Sequence, residues 1–466
     1  MTKSIKFGTD GWRAIIAKDY TVDNVKRVTE ATAKWMLQKQ MSSVVIGYDC
    51  RFGGPMFRDV VAEIMAHYGI KVYMGKDFVS TPMVSLGIVR LETDMGIVIT
   101  ASHNPPSYNG FKLKSSFGGP TLPSDIAEVE ALIPDTPLGS VASVEEQVAT
   151  GKIEYVDLAQ LYYDEVMANF DVEAIRNSHV NLAYDAMFGA GQKILPRILP
   201  ESYLLHCDHN PSFRGQAPEP IARNLSDLSM VLESNDDLTL GLANDGDADR
   251  IGLMDENGNF VDSHHILLLL LYYQVEYKKL DGKVVVTFSV TDKMKKLAEQ
   301  YGLEFEVTKI GFKYIAEIMT REDIIVGGEE SGGLAVKGFI PERDGIWIGL
   351  MIMEFMAKTG KKISELIEEL YQKVGRFSLD RDDLHIDNAQ KEAIIERCAN
   401  GGITHIGSRP VIRTETIDGY KFYLSDDDWV MIRPSGTEPV LRVYSQGTTA
   451  ADAREILDQT HQTLKS

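Results

Sequence analysis

The chain has 466 residues, room for about three or four domains at roughly 150 residues each. Hydrophobic residues make up 44% and charged residues 25%, an ordinary balance for a globular protein that buries several cores without staples. The formal net charge is −20 and no local basic patch offsets it, which argues against a nucleic-acid partner and leaves any anionic ligand to a few well-placed Arg and Lys residues.

The opening "MTKSIKFGTD" lacks the apolar stretch of a signal peptide. From the start to about residue 150, strand-like runs then alternate with amphipathic helical ones. "SVVIGYD" reads as a buried strand ending in a polar loop, and "PMFRDVVAEIMAHYG" as a helix with Pro55 near its start and Gly69 just past its end. "IKVYMG" and "MGIVIT" read as further strands, with a helical segment from about Pro82 to Leu91 between them. The rhythm predicts a mainly parallel sheet covered by helices. It recurs in "HVNLAYDAMFGAGQKILPRIL", a strand, glycine loop and helix, and in "DLTLGLANDGDADRIGLMDENG", a strand, acidic loop, strand and turn. The longest apolar run, Ile266 to Tyr273, is far short of the ~20 residues that span a bilayer, and it reads as a buried helix. "GKVVVTFSVTDKMKKLAEQYG", "EFEVTKIGFKYIAEIM" and "IIVGGEESGG" continue the pattern. Beyond Gly375 come a helix over 388–400, the short strands "GYKFYL", "DWVMIR" and "VLRVYS", and a closing helix from Ala450, the outline of a small α+β domain. The expected divisions are 1–150, 151–255, 256–374 and 375–466. Cys50, Cys207 and Cys398 form no CxxC pair, which argues against a disulfide framework or a Cys-based zinc site and fits a reducing cytoplasm.

Ligands of open α/β sheets gather beyond the carboxyl ends of the strands, so the polar loops after predicted strands are where chemistry belongs. The first, "TASHNPPSYNGFK", puts Ser102 at a strand's carboxyl end, where backbone N–H groups can bind phosphate oxygens; His103 and Lys112 could move protons or neutralise charge. An ordinary turn, its Ser and Asn serving the backbone, is the plain alternative. The second, "NDGDADR", spaces Asp245, Asp247 and Asp249 by two, so an extended chain would turn all three carboxylates to one side, where a cation such as Mg²⁺ would neutralise them. Glu256 would complete an EF-hand pattern, but Arg250 stands where that loop needs Gly and the flanks read as strands, so Arg250 suits a phosphate anchor or charge balance better. The third, "GGEESGG", offers Glu329 and Ser331 on a glycine-rich loop that a ligand can approach closely. The fourth, "RPSGTEPVLRVY", gathers Arg433, Ser435, Gly436 and Thr437, with Arg442 able to join them, as donors suited to phosphate. "FGTDGWR" adds Arg13. A GxxxxGK[ST] loop, a complete dinucleotide fingerprint and a GxSxG elbow around Ser102 are all missing.

Taken together and in this order, the five motifs resemble the α-D-phosphohexomutase family, which includes phosphoglucomutases, phosphomannomutases and phosphoglucosamine mutases. The resemblance runs from Phe7 to Tyr444: "TASHNP" is similar to the family's phosphoserine loop, "DGDADR" to its metal loop, "GEESG" to its sugar loop and "RPSGTEP" to its phosphate loop. It implies four domains around a central cleft, three related mixed α/β sheet domains and a smaller C-terminal α+β domain. It further implies that Ser102 carries the phosphoryl group and that Mg²⁺ is held by Asp245, Asp247, Asp249 and a phosphoryl oxygen on Ser102. Lys112 and Arg13 match positions that assist acid–base chemistry, Glu329 and Ser331 would bind sugar hydroxyls, and Arg433, Ser435, Gly436 and Thr437 the non-reacting phosphate. Lys313, in "KIGFK", falls in a varied substrate-facing loop. The implied reaction moves a phosphoryl group between the 1- and 6-positions of a hexose phosphate, glucose phosphate first, through a hexose 1,6-bisphosphate. Mannose and glucosamine phosphates are alternatives within the family; an aspartate-nucleophile phosphatase and a non-catalytic sugar-phosphate binder are the rivals outside it. The partners expected are small hexose phosphates, with neither nucleic acid nor membrane, in a monomer or dimer.

Overall fold

A computed structural model describes residues 5–434 and 440–465. The chain forms two compact units, one made of the residues up to Gly282 and from Gly311 to Leu366, the other of Lys283–Ile310 and the residues from Ile367 onward.

The first unit opens with strand β1 (Trp12–Ile15) and helix α1 (Val22–Gln38), which the Thr21 side chain caps by accepting the Asn24 amide. The Val44–Ile46 run is fully buried in β2 (Ser43–Tyr48), as a strand covered on both faces requires. Helix α2 (Gly54–His67) carries Pro55 in its first turn, where a missing N–H costs nothing, and β3 (Lys71–Gly75) follows. Helix α3 (Thr81–Arg90), capped by Ser80, leads to β4 (Met95–Ile99), β5 (Tyr108–Ser115) and, later, β6 (Ile153–Val156). The sheet order is β1-β5-β4-β2-β3-β6. Strands β4, β2, β3 and β6 run parallel, but β5 pairs antiparallel with both β4 and β1, so the sheet is mixed where a mainly parallel one was predicted. The reversal was hidden because β5, "YNGFKLKS", carries two lysines that are themselves buried.

A second sheet, in order β11-β10-β9-β7-β8, contains β7 (Leu182–Asp185), β8 (Tyr203–Leu205), β9 (Leu240–Asn244), β10 (Ile251–Met254) and β11 (Phe260–Val261). Here too the parallel strands β8, β7 and β9 end in an antiparallel partner, β10. The long apolar run lies in the helix Ser263–Tyr272, buried along its whole length. The strands Ile324–Gly328 and Leu334–Val336 then pair antiparallel, and a buried helix follows over Gly345–Thr359. Among the described residues no helix is long and apolar enough to cross a membrane.

The second unit contains the parallel pair Lys283–Thr287 and Phe305–Thr308 and a five-stranded antiparallel sheet. That sheet runs in the order Ser378–His385, Val440–Gly447, Trp429–Pro434, Tyr420–Tyr423, Arg413–Glu415. Helices Asn388–Ala399 and Ala450–Lys465 belong to it; Ile432, Leu441, Val443, Ile456 and Leu457 are in its core. The outer strands 378–385 and 413–415 escaped the sequence reading, because "SLDRDDLH" and "RTE" have too few apolar residues to signal a strand.

Candidate active site

Three loops of the first unit share one origin: each joins a strand to its antiparallel neighbour. The Ser102 loop joins β4 to β5, the Asp245–Arg250 loop joins β9 to β10, and the Glu329 loop joins Ile324–Gly328 to Leu334–Val336. Reversal brings the next strand back beside the loop. Lys112, on β5, lies opposite Val98 of β4 and so returns to the Ser102 end of the sheet.

Ser102 is buried with a left-handed backbone, φ 51°. Its Oγ donates to Asp245 Oδ2 at 2.6 Å and lies 3.1 Å from His103 Nδ1. Burial, reinforced by Arg250, Arg13, Lys112 and Arg51, holds the His103 pKa well below the ordinary imidazole value, so the ring is neutral at neutral pH.

Asp245, Asp247 and Asp249 converge, all buried, with one ligand oxygen from each within 4.8 Å of the others. The route differs from the extended chain predicted: residues 246–249 form a turn, with Ala248 at φ 55°. The antiparallel strands at either end are also not the helices of an EF-hand. Asp247 Oδ2 accepts from Thr81 Oγ1 at 2.5 Å and Lys112 Nζ at 2.8 Å. Asp249 Oδ2 accepts from Lys112 Nζ at 2.9 Å and an Arg343 Nη at 2.7 Å. The other oxygens, Oδ1 of Asp247 and of Asp249, are buried without a hydrogen-bond partner among the described residues. Two unpartnered buried carboxylate oxygens beside a third carboxylate are what a hard divalent cation completes, and all-oxygen donors suit Mg²⁺. Burial and the neighbouring Asp247 and Asp249 push the Asp245 carboxyl pKa well up. Burial also opposes ionisation of Asp247, but Lys112 outweighs it and holds that carboxyl well below its usual range.

Lys112 reaches Asp10 at 2.9 Å as well, and these three carboxylates overcome burial to raise its pKa far above the usual lysine range. Sequence reasoning missed Asp10, Thr81, Lys114, Glu342 and Arg343. Arg343 pairs with Asp10 and Asp249, and Lys114 pairs with Glu342 and lies 3.7 Å from Asp10. A signal existed: "FKLKS" alternates with period two, and a charged triplet, Glu342-Arg343-Asp344, directly precedes an apolar helix.

Arg13 donates to Asn104 Oδ1 at 2.8 Å and so reaches the Ser102 loop. The Arg250 backbone N–H donates to Asp245 Oδ1 at 3.0 Å, while its side chain turns toward Glu219 at 3.7 Å. Glu329 is buried, and burial pushes its carboxyl up to about 7 against the pull of Arg343. Half-buried Ser331 lies in the same turn. Gly332 and Gly333 permit that turn: a Cβ on Gly332 would stand 2.7 Å from the Ile251 carbonyl and one on Gly333 2.5 Å from Arg343 Cδ. Lys313 lines a cavity of about 220 Å³ with Thr9 and Asp10. In the second unit, Arg433 donates to Asp418 at 3.1 Å and is the direct cross-strand neighbour of Arg442. Ser435, Gly436 and Thr437 lie outside the described residues.

Four family models match in succession: phosphoglucomutase/phosphomannomutase α/β/α domain I over residues 4–138, domain II over 160–258, domain III over 262–374 and the C-terminal domain over 387–462. The chain belongs to the α-D-phosphohexomutase family. Its enzymes are isomerases, and this phosphohexomutase shares their three mixed α/β domains and β-rich C-terminal domain. It is 31% identical over 460 residues to the phosphoglucomutase/phosphomannomutase of Thermococcus kodakarensis, covering 97% of this chain and 96% of that one. It is 30% identical over 452 residues to the phosphoglucosamine mutase of Methanococcus maripaludis, covering 94% and 93%. A crystal structure from Thermus thermophilus, provisionally named phosphomannomutase, superposes with a TM-score of 0.89 at 30% identity over the whole of both chains. Parafusin of Paramecium, a phosphoglucomutase, shares the fold at a TM-score of 0.84 and 19% identity, over 100% of this chain and 96% of that one.

Proposed function

We propose that this phosphohexomutase interconverts hexose 1-phosphates and 6-phosphates, glucose phosphates first, through phosphorylated Ser102 and a hexose 1,6-bisphosphate. The observation that carries the reading is Ser102 Oγ held 2.6 Å from Asp245, at the edge of three buried carboxylates, two of which share Lys112.

Mg²⁺ would be held by Asp245, Asp247, Asp249 and an oxygen of the Ser102 phosphoryl group, where it would supply positive charge to the transferring oxygens. The residues of the chain do the rest. In the first half-reaction a sugar hydroxyl oxygen bonds to the phosphorus of phosphoserine 102, the P–Oγ bond breaks, and the hydroxyl proton passes to the released Ser102 Oγ. In the second, Ser102 Oγ bonds to the other phosphorus of the bisphosphate, the bond from that phosphorus to the sugar oxygen breaks, and the Ser102 proton passes to the released sugar oxygen. Neutral His103, 3.1 Å from Oγ, is placed to exchange that proton. Lys112, with a raised pKa, keeps its proton and serves as fixed positive charge. Glu329 and Ser331 accept and donate to sugar hydroxyls, while Arg13, Arg250 and Lys313 offer positive charge to the anionic ends of the substrate.

Glucosamine phosphate is the second reading, favoured by the name of the Methanococcus maripaludis relative. Glucose, mannose and glucosamine 1-phosphates, each supplied with Mg²⁺ and a hexose bisphosphate, test both readings. Isomerisation of one of them names the substrate; isomerisation of none sinks the reading.

A further inference from the structure

Arg51 follows β2 and lies outside every motif that the sequence analysis singled out, yet it holds the Ser102 loop at four points. Its guanidinium is fully buried. One Nη donates to the carbonyls of Pro105 at 2.9 Å and Tyr108 at 3.0 Å; the other donates to those of Ser102 at 2.5 Å and Asn104 at 2.6 Å. One planar cation thus gathers four carbonyl oxygens from residues 102–108. The guanidinium is itself anchored. Asp49 accepts the Arg51 backbone N–H at 2.9 Å and lies 3.4 Å from Nε, and the ring of Phe213 packs 5.0 Å from the guanidinium carbon. Asp49 also accepts from Thr100 Oγ1 at 2.6 Å, and that hydroxyl accepts the Ser102 backbone N–H at 2.9 Å. Ser102 is therefore held at its N–H through Asp49 and at its carbonyl through Arg51, on either side of a left-handed φ that serine does not adopt unaided.

We propose that Arg51 is a positioning residue for phosphoryl transfer, fixing the loop that presents Ser102 Oγ without touching the substrate. The proposal deepens the mutase reading and rests on it. In-line transfer depends on the placement of the attacking and leaving oxygens, and about 1 Å of misplacement can cost roughly 10²-fold in rate. Lysine at this position keeps the charge but presents three donors from one point and cannot span four carbonyls. The bonds of Arg51 go to the Ser102 loop and not to the sugar-binding candidates Glu329 and Ser331, so substrate affinity should be spared.

The test compares wild type, Arg51→Lys and Arg51→Ala for kcat and KM on the hexose phosphate that wild type turns over, with amide hydrogen exchange of residues 102–108 in parallel. Arg51→Lys should lower kcat about 10²-fold with KM within about twofold, and those amides should exchange faster while the rest of the first unit stays protected. Unchanged exchange over 102–108, a KM that rises while kcat holds, or a kcat loss equal to the unfolded fraction would each overturn the proposal. If Arg51→Ala fails to fold, Arg51→Lys decides. If wild type turns over no hexose phosphate, it is the mutase reading that falls, and the exchange measurement still judges the positioning of the loop.

Discussion

Replacing Lys112 by Met removes the one cation shared by Asp10, Asp247 and Asp249, at 2.9, 2.8 and 2.9 Å. Arg343 still serves Asp10 and Asp249, but among the described residues Asp247 is left with the Thr81 hydroxyl alone. Methionine fills most of the lysine volume, so the loss is chiefly electrostatic. Breaking a buried ion pair by removing one partner costs about 3–5 kcal/mol. Lys112 lies in the first unit, roughly 340 residues, where an unfolding entropy of about 2.1 cal/mol/K per residue converts that loss to a Tm lower by about 4–7 °C. Scanning calorimetry in chelator and in Mg²⁺ provides the assay. The deficit should be largest in chelator and should shrink in Mg²⁺, because the cation binds the folded carboxylates and replaces part of the missing charge. The double variant Lys112→Met/Asp247→Asn should regain about 1–3 kcal/mol relative to the single one. A Lys112→Met protein that melts within about a degree of wild type in chelator would refute the reasoning, as would a Tm deficit indifferent to both Mg²⁺ and the second substitution.

Ser102→Ala should abolish the phosphorylated species seen by intact mass; persistence of that species would move the phosphoryl carrier elsewhere. Asp245→Asn removes a carboxyl whose pKa burial and the neighbouring Asp247 and Asp249 have raised, so the metal-free fold should become more stable while stabilisation by Mg²⁺ weakens; calorimetry that showed both unchanged would exclude a metal role for Asp245. Glu329, pushed up to about 7 from an unfolded value near 4.5, keeps its proton in the fold longer than in the unfolded chain. Its contribution to stability is therefore full below pH ~4.5 and is lost as pH rises through about 7. In its proposed role the ionised form accepts sugar hydroxyls, so KM should fall between pH 6 and 8, and Glu329→Gln should flatten that profile; a variant that kept the slope would clear Glu329 of it. Gly345→Ala places a Cβ 2.2 Å from the Arg250 carbonyl and 2.3 Å from Asn244 Nδ2, so it should destabilise the metal loop by about 1–3 kcal/mol, measured by urea unfolding.

The elements most legible in the sequence were those whose environment is uniform. The apolar run 266–273 and the Val44–Ile46 strand are buried on all sides, and their composition says so. What the sequence concealed were the strands β5, 378–385 and 413–415, whose side chains are charged for reasons found elsewhere in the fold. Lys112 and Lys114 are buried because their partners, Asp10, Asp247, Asp249 and Glu342, come from segments far away in the chain. The same cause hid the pairing of Asp10, Glu342 and Arg343: the charged triplet at 342–344 marks a local oddity, but an ion pair over hundreds of residues leaves no local sign of its partner. The three aspartates were legible because their convergence is local, although a turn produces it where an extended chain was expected.

The charges around Ser102 give an independent argument for a divalent cation. Lys112, Lys114, Arg343 and, 4.0 Å from Asp10, Arg13 bear the positive charge of one network, against the carboxylates of Asp10, Asp247, Asp249 and Glu342, with Asp245 completing the aspartate cluster. Four cations against five carboxylates leave the network one positive charge short when all are ionised, and a phosphoryl group on Ser102 would add about two negative charges more. Burial, with the neighbouring Asp247 and Asp249, raises the Asp245 pKa, in keeping with that shortage. Asp245, Asp247 and Asp249 would hold a divalent ion that supplies two charges at once, and Oδ1 of Asp247 and of Asp249 have no hydrogen-bond partner among the described residues. Two further charges would turn that shortage into a small excess, which a dianionic phosphoryl group on Ser102 would then meet.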